Sequence, residues 1–206
     1  MRSKFYLTAL AAILVITSFV LISQLAIKHQ EVIRSTISIA GPLAAISYIF
    51  LSAAAIVIAP LGFGFLIPVA AQVFGPFLAA VYSVLGWLIG SILVWILFRK
   101  HAKPRIKHLA FVKYIENTEA RLSKRQWYTL VLLMRVALPV DVVSYALALG
   151  SSIRFVPYLI TTVAGIIPFA FLSTYAAVGS WQEQIIVASF GAIIFVAGGF
   201  YFYKKI

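Results

Sequence analysis

Two charged residues, Arg135 and Asp141, lie within the otherwise apolar stretch RVALPVDVVSYALALG, which covers residues 135–150. An ionisable side chain at bilayer depth is costly, so it usually faces an interior partner or a water-filled path. The guanidinium of Arg135 can bind a phosphate or a carboxylate through two parallel hydrogen bonds, which Lys cannot match. Pro139 stands between the two charges and predicts a helix break near Leu138. The stretch therefore predicts a polar site beside a broken helix.

Several interpretations of this site stay open. Arg135 binds the phosphate of a lipid, or it pairs with Asp141, or its long side chain reaches the membrane surface. Asp141 carries a proton during transport, or it serves as the partner in an ion pair. Ser144 and Tyr145 supply hydroxyl groups near the break, and Tyr145 is a second candidate contact for the phosphate.

The composition is that of an integral membrane protein. Of the 206 residues, 63% are hydrophobic and 11% are charged, far from the composition of a soluble domain. About 20 residues are needed for each membrane crossing, which leaves no room for a separate soluble domain. The net charge of +12 comes from Lys and Arg beside apolar segments. Anionic membrane lipids are therefore the expected partners, and nucleic acid is not. Homo-oligomerisation stays open.

Enzymatic and metal chemistry have little support in the sequence. The chain has no Cys, which excludes thiolate nucleophiles and Cys-ligated metals. His101 and His108 stand among Lys and Arg residues, which repel a divalent cation. Of the five carboxylates, only that of Asp141 lies at predicted membrane depth. The chain therefore lacks the pair of carboxylates that acid–base hydrolysis needs. We predict no catalytic residue, no metal site and no cofactor.

The distribution of charge, and the odd or even number of membrane crossings that it requires, predict the topology of the first half of the chain. Residues 5–27 form a transmembrane helix with a cytoplasmic N terminus, and an external link follows up to Arg34. The link 99–126 is rich in Lys and Arg and is therefore cytoplasmic. Residues 78–98 supply one crossing. The segment 41–75 must then enter and leave by the same face, as a re-entrant hairpin.

The breaks in this first hairpin are predicted at its prolines and glycines, namely Pro60, Gly62, Gly64 and Pro68. Broken backbone at membrane depth is tolerated only where protein or water satisfies it, so we expect a buried tip. In the crossing that follows, Gly86 and Gly90 form a G-x-x-x-G motif. We interpret this motif as a contact with another helix of the same chain, in preference to dimerisation.

A second hairpin of opposite orientation is predicted over residues 127–150, with breaks at Pro139 and Gly150. Residues 155–178 and 184–203 then cross the membrane, which makes the C terminus cytoplasmic like the N terminus. The predicted fold is all-α, with about four transmembrane helices and two oppositely oriented re-entrant helical hairpins in an inverted repeat. In such folds the substrate site lies near the midplane, where broken helices meet.

Two further local patterns carry predictions. Gly165 and Pro168 predict a kink in the span 155–178. In the basic link, Phe111, Ile115 and Leu122 fall on one side of a helix. This stripe indicates either a surface helix on the inner leaflet or a solvated linker.

The stretch 135–150 resembles the DedA family, also called the VTT-domain or SNARE-associated Golgi protein family. It is similar to the family pattern Arg-x-x-x-Pro-x-x-x-x-x-Tyr followed by a closing glycine, here Arg135, Pro139, Tyr145 and Gly150. Gly165 and Pro168 resemble the G-x-x-P of that family. The resemblance covers residues 45–179. It divides the chain into an N-terminal helix with its link, 1–34, and a membrane domain, 35–206.

The resemblance implies two opposed re-entrant loops and the movement of lipids across a bilayer. Family members are associated with phospholipid scrambling, or with recycling of an isoprenoid carrier phosphate in bacteria, and some are coupled to protons. A prokaryotic cytoplasmic membrane is the expected location. The chain departs from many bacterial members because no acidic residue stands between Arg34 and Arg99. Asp141 alone would have to carry any proton.

These observations favour a lipid translocase or scramblase, not an enzyme, in which Arg135 engages the lipid phosphate in a cavity between the two hairpins. One alternative is a proton-coupled exporter of small ions or solutes that uses Asp141. The other alternative is a membrane scaffold without transport activity, which recruits partners through its basic link.

Overall fold

The computed structural model of the chain describes residues 17, 19–29, 31–32, 35, 41–58, 66–101, 110–137, 140–187 and 189. Within these ranges the chain is helical, with no strand. The helices are α1 (Phe19–Lys28), α2 (Pro42–Ile58), α3 (Leu66–Phe74), α4 (Pro76–His101), α5 (Ala110–Arg121), α6 (Lys124–Ala137), α7 (Val140–Gly150) and α8 (Phe155–Val178). A further helical segment covers 181–187.

Two of the described helices, α4 and α8, are long and apolar enough to cross a membrane. The observed α8 has the predicted bounds 155–178, and α4 extends beyond the predicted 78–98 at both ends. The two helices pack against each other, and α4 also contacts α2, α3 and α7. Large apolar side chains of α4 and α8 point away from the bundle, which is what contact with lipid requires. Examples are Leu85, Ile89, Ile96, Val156 and Ile160.

The segment predicted as the first hairpin is divided into two short helices, α2 with 17 residues and α3 with 9. Gly41 precedes α2 with φ 50°, and Gly75 follows α3 with φ 77°. This left-handed backbone is the region in which glycine has no steric penalty. The two glycines therefore mark sharp turns at both ends of the segment.

One of the predicted breaks in this segment, Pro68, falls at the start of a helix, and its role as a break stays a prediction. Pro68 lies in the first turn of α3 and is buried, where the missing N–H has no intrahelical partner to lose. The proline is therefore accommodated near a helix start. The predicted breaks at Pro60, Gly62 and Gly64 lie outside the described residues.

The G-x-x-x-G motif of α4 forms the contact with α2. A Cβ atom on Gly86 would lie 2.6 Å from the Cβ of Ser52, and one on Gly90 would lie 2.7 Å from the carbonyl oxygen of Ala53. Close approach of the two helix backbones thus depends on both glycines. The interpretation of the motif as packing within one chain is confirmed.

The second predicted hairpin also consists of two helices. α6 ends at Ala137 and α7 begins at Val140. The predicted break at Pro139 falls between these two helices, on residues that lie outside the described ranges, and it stays a prediction. α6 begins at residue 124, three residues earlier than predicted. Gly150 is the last residue of α7, and a Cβ there would lie 2.8 Å from the Cβ of Ile115.

Helix α5 of the basic link packs on the protein itself. Val112 and Ile115 are buried, and Ile115 belongs to a core cluster that includes Trp127 of α6 and Leu147 of α7. Both interpretations of this stripe from the sequence are therefore wrong. The amphipathic pattern was correct, but the apolar surface that covers it belongs to α6 and α7, not to the lipid.

Helix α8 continues without interruption through Pro168, which is exposed. The prediction of a kink there stays a prediction. For the first and last predicted spans, the described parts are helical at α1 and at 181–187, and the remaining residues of these spans lie outside the described ranges.

Candidate functional site

The two charges of the second hairpin lie at helix ends that stabilise them. Arg135 is in the last turn of α6, and Asp141 is in the first turn of α7. The partial negative charge at a helix C terminus favours a cation, and the partial positive charge at an N terminus favours a carboxylate. The end of α6 and the start of α7 thus form two complementary helix ends that are close together in sequence.

Arg135 is buried, with 2% of its surface exposed. The interpretation in which its side chain extends to the membrane surface is therefore wrong. Its Nη1 donates one hydrogen bond to the carbonyl oxygen of Val140 at 3.1 Å and another to the Ser144 Oγ at 2.7 Å. The Ser144 Oγ in turn lies 3.1 Å from the Oγ of Ser91 on α4. One nitrogen of the guanidinium is thus held by α7, which α4 supports.

The other edge of the same guanidinium has no such support. The Nε and Nη2 atoms of Arg135 are buried and have no hydrogen-bond partner among the described residues. In a planar guanidinium these two N–H groups point in the same direction and form the fork that binds two oxygens at once. Buried donors without a partner are rare because each loses its hydration without compensation. This edge is therefore chemically matched to a phosphate or a carboxylate.

Helix α8 encloses the guanidinium. The Cζ of Arg135 lies 5.0 Å from the centre of the Tyr158 ring, a cation–π distance. The Tyr158 hydroxyl donates to the carbonyl oxygen of Ser91 at 2.7 Å, which fixes the ring. A Cβ on Gly165 would overlap with the Cβ of Arg135, so α8 reaches α6 only because residue 165 is glycine.

Comparison with models of known protein families identifies the family of this chain. The family model described as the VTT domain matches residues 45–180, about two thirds of the chain. The chain belongs to the VTT-domain family. The resemblance to the DedA and VTT-domain family, drawn from the sequence motifs, is confirmed. No curated protein and no solved structure matches the chain. The VTT-domain match and the two long apolar helices together identify a membrane protein.

Within the VTT domain, Tyr145 connects the two predicted hairpins. Its hydroxyl donates to the carbonyl oxygen of Val57 near the end of α2, and its ring lies 4.7 Å from that of Phe98. A phosphate would have to displace the Val57 carbonyl to reach this hydroxyl. The assignment of Tyr145 to phosphate binding stays a prediction, and in this structure the hydroxyl joins α7 to α2.

Asp141 of the VTT domain is buried, with 4% of its surface exposed. Its position in the first turn of α7 gives the carboxylate a structural role at a helix N terminus. Its role as a proton carrier stays a prediction. Among the described residues, no group of three or more His, Cys, Asp or Glu side chains could hold a metal ion.

Three features of the VTT domain site were not predicted from the sequence. Tyr158 and Ser91 belong to spans that are mostly apolar, and their hydroxyl groups were not considered as candidates. The sequence predicts Gly165 as part of a helix kink, whereas in the structure its missing side chain allows close contact with Arg135. A tyrosine or serine that interrupts an apolar span is the signal that could have been followed, because a buried hydroxyl needs a partner.

We expect Ser144→Ala to lower the free energy of unfolding by about 1.5–3 kcal/mol, because Nη1 of Arg135 would lose its shorter hydrogen bond in a buried site. Ser173→Ala is the matched control, since the Ser173 hydroxyl is also buried but accepts no bond from a charged group and contacts only carbonyls of α8. Denaturant titration in detergent micelles compares the two variants. Equal losses would show that Ser144 does not support the guanidinium.

Proposed function

We propose that the chain is a lipid translocase or scramblase that moves phosphate-bearing lipids between membrane leaflets, with Arg135 as the residue that engages the phosphate. It acts as a transporter and not as an enzyme. The observation that carries the proposal is the buried guanidinium edge of Arg135, whose Nε and Nη2 have no hydrogen-bond partner among the described residues. A phosphodiester offers two oxygens at the spacing that this fork binds.

The proposed transport path runs between two re-entrant hairpins that enter from opposite faces. The described parts of α2, α3, α6 and α7 support this architecture, because they have 17, 9, 14 and 11 residues, fewer than the about 20 of a typical crossing. In this proposal both termini and the basic link are cytoplasmic, and the membrane is the cytoplasmic membrane of a prokaryote. Broken helices that meet near the midplane are the usual location of a substrate site.

Transport through this site requires a conformational change. In the described structure, α8 closes over the guanidinium through Tyr158 and Gly165. A lipid phosphate reaches Nε and Nη2 only when the α6–α7 hairpin separates from α8. The described structure is then a closed state, and a lipid stabilises the open state because only that state allows the two new hydrogen bonds to form.

The apolar outer surface favours a lipid over a free anion as the substrate. Outward-facing residues of α8, including Ile160, Ile167 and Leu172, are exposed. When α6 and α7 separate from α8, these surfaces can remain in contact with acyl chains while the headgroup follows the polar interior. A small anion would gain nothing from this apolar surface.

Proteoliposomes containing the purified protein test the proposal. Head-group-labelled lipids are reconstituted, and a membrane-impermeant quencher reports the fraction that reaches the outer leaflet. We expect the protein to accelerate quenching of inner-leaflet phospholipids and isoprenoid phosphates. A glycolipid without phosphate is the matched substrate control and should move at the rate of empty liposomes.

Two results would contradict the proposal. Equal acceleration of the phosphate-free glycolipid would indicate bilayer perturbation and not phosphate recognition. If the protein accelerates the movement of no phosphate-bearing lipid, the proposal that it is a lipid translocase is wrong. Efflux of a small ion driven by a pH gradient and lost in Asp141→Asn would then support the exporter.

A further inference from the structure

A short joint, residues 151–154, connects α7 to α8 and is not helical. The backbone N–H of Ile153 is satisfied within the joint, because it donates to the Oγ of Ser151 at 2.9 Å. The backbone N–H of Ser152 instead donates to Glu119 of α5, 33 residues earlier in the chain. The structure of the joint therefore depends on a helix that belongs to neither of its two ends.

Glu119 binds Ser152 through both carboxylate oxygens. Its Oε2 accepts a hydrogen bond from the backbone N–H and its Oε1 accepts one from the hydroxyl, each at 2.7 Å. Hydrogen bonds to an ionised carboxylate are stronger than those between neutral groups. Two of them on one residue also fix the orientation of the Ser152 backbone relative to α5. We call this pair, Glu119 and Ser152, the latch.

Helix α5 is also attached to the α6–α7 hairpin. Only residues 122–123 separate it from α6. On its other side, Ile115 lies against Gly150, the last residue of α7, and shares a core cluster with Leu147. Helix α5 and the hairpin thus form one packed unit, and the latch extends this unit into the joint.

The latch opposes any separation of the hairpin from α8. The joint is the only covalent connection between α7 and α8, so its backbone dihedral angles must change when the two helices separate. While the latch is formed, Ser152 moves with α5, and the rest of the joint must absorb the change. In that remainder, Ile153 is 2% exposed and packs in the same core cluster as Ile115. The latched joint is therefore stiff.

A cavity beside the latch gives it room to release. The cavity lies where α5, α6 and α8 meet and has a volume of about 680 Å³, and its lining includes Glu119, Ser152 and Trp127. Because the Ser152 side chain is exposed, water can replace the two bonds of the latch when they break. Neither partner is then left buried without a hydrogen bond, so the latch can open and close reversibly.

We infer that the latch holds the α6–α7 hairpin closed against α8 and thereby controls access to Arg135. The inference rests on the proposed function, because it concerns the opening through which a lipid phosphate reaches the guanidinium. The controlling contact lies outside the Arg135 site. Trp127, which lines the cavity beside the latch, precedes Arg135 by eight residues, or about 12 Å along the axis of α6.

Thiol labelling of the purified full-length protein in micelles measures this opening without any lipid. The chain contains no Cys, so a single introduced Cys is a unique reporter. Thr162 is buried, one turn after Tyr158 and one turn before Gly165. Both of these residues contact Arg135, so Thr162 lies on the same side of α8. A maleimide reaches Thr162→Cys only when the hairpin separates from α8, and the labelling rate therefore measures the open state.

We expect Glu119→Ala to increase the labelling rate of this reporter by about tenfold, because the loss of a charge-assisted hydrogen bond corresponds to about that factor. Ser152→Ala removes only the hydroxyl bond and keeps both the charge of Glu119 and the backbone bond. This variant should therefore increase the labelling rate by about threefold. In the lipid quenching assay, Glu119→Ala should move lipid faster than the wild type.

The matched control is Glu183→Ala. Glu183 accepts the same two kinds of bond, from the backbone N–H and the hydroxyl of Ser180, but at the other end of α8. This variant should not change the labelling rate of Thr162→Cys. A second reporter, Ala177→Cys, is buried in the core cluster that α8 forms with α2, α3 and α4, and it should label at the same rate with and without the latch.

Three results would overturn the inference. Equal labelling with and without Glu119 would show that the latch does not hold the closed state. Equal acceleration in Glu119→Ala and Glu183→Ala would show a general loosening of the protein. If the wild type moves lipid but Glu119→Ala labels faster without moving lipid faster, the latch does not control access. A wild type that moves no lipid, combined with faster labelling of Glu119→Ala alone, would instead support the latch and contradict the proposed function.

Discussion

Arg135→Met is expected to abolish lipid movement while leaving the free energy of unfolding unchanged or slightly increased. Met has a similar length, so it fills the space against Tyr158 and Gly165, but it has no donors. The wild-type guanidinium is buried with two donors that have no partner among the described residues, and replacing a buried charge by an apolar side chain is often neutral or stabilising. A loss of transport without a loss of stability is the signature of a residue retained for function.

Arg135→Lys should be nearly as inactive as Arg135→Met. Lysine keeps the positive charge but has no planar fork, and its ammonium group acts as a point charge. The charge-assisted hydrogen bond that the fork no longer makes contributes about 1.5–3 kcal/mol, so the rate of lipid movement should fall by up to about a hundredfold in the quenching assay. If Lys restores most of the rate, the site needs only a charge and the bidentate contact is not required.

Arg125→Met is the matched control for both variants. Arg125 lies on the same helix, ten residues earlier, but it is exposed. Its replacement should leave both transport and stability unchanged. An equal loss of transport in this variant would mean that the total charge of the protein, and not the Arg135 site, supports lipid movement.

Gly165→Val is expected to have the largest effect on stability, because any Cβ at this position would overlap with the Cβ of Arg135. The obstacle lies at the base of a side chain, close to backbone, and cannot rotate away. Either α8 moves away from α6 or the hairpin shifts, and overpacking of this kind costs about 1–3 kcal/mol or more. We expect a lower free energy of unfolding in micelles together with slower lipid movement.

Ala164→Val provides the control for that substitution. Ala164 is the neighbouring residue of α8 and is exposed, so the same branched side chain would point away from Arg135. This variant should retain the stability and the transport rate of the wild type. If Gly165→Val behaves like Ala164→Val, α8 is free to adjust and the close contact with Arg135 does not position the site.

Regular spans and local breaks could be predicted from the sequence because their signals are local. The bounds of α8 follow from an apolar run that begins after Arg154 and ends at Gly179. The end of α6 at Ala137 and the start of α7 at Val140 lie on either side of Pro139, whose restriction of its neighbours is a local signal. Each of these features depends on a few consecutive residues, so no knowledge of the tertiary contacts was needed.

The contacts between distant parts of the chain could not be predicted. Ser144 and Ser91 are 53 residues apart, and nothing in either segment indicates that the two hydroxyls meet. The stripe of α5 shows that one side is apolar, but not whether lipid or protein covers it. The cavity beside Trp127 is formed by three helices and one loop, so it exists only once all of them are in place.

The hydrogen bond from Tyr145 to Val57 has a consequence for the order of biogenesis. The last carbonyl groups of a helix have no partner within it, and Val57 stands one residue before the end of α2. Its carbonyl oxygen accepts a hydrogen bond from Tyr145, a residue that the ribosome adds 88 positions later. This contact between α2 and α7 can therefore form only after the second half of the chain has been synthesised.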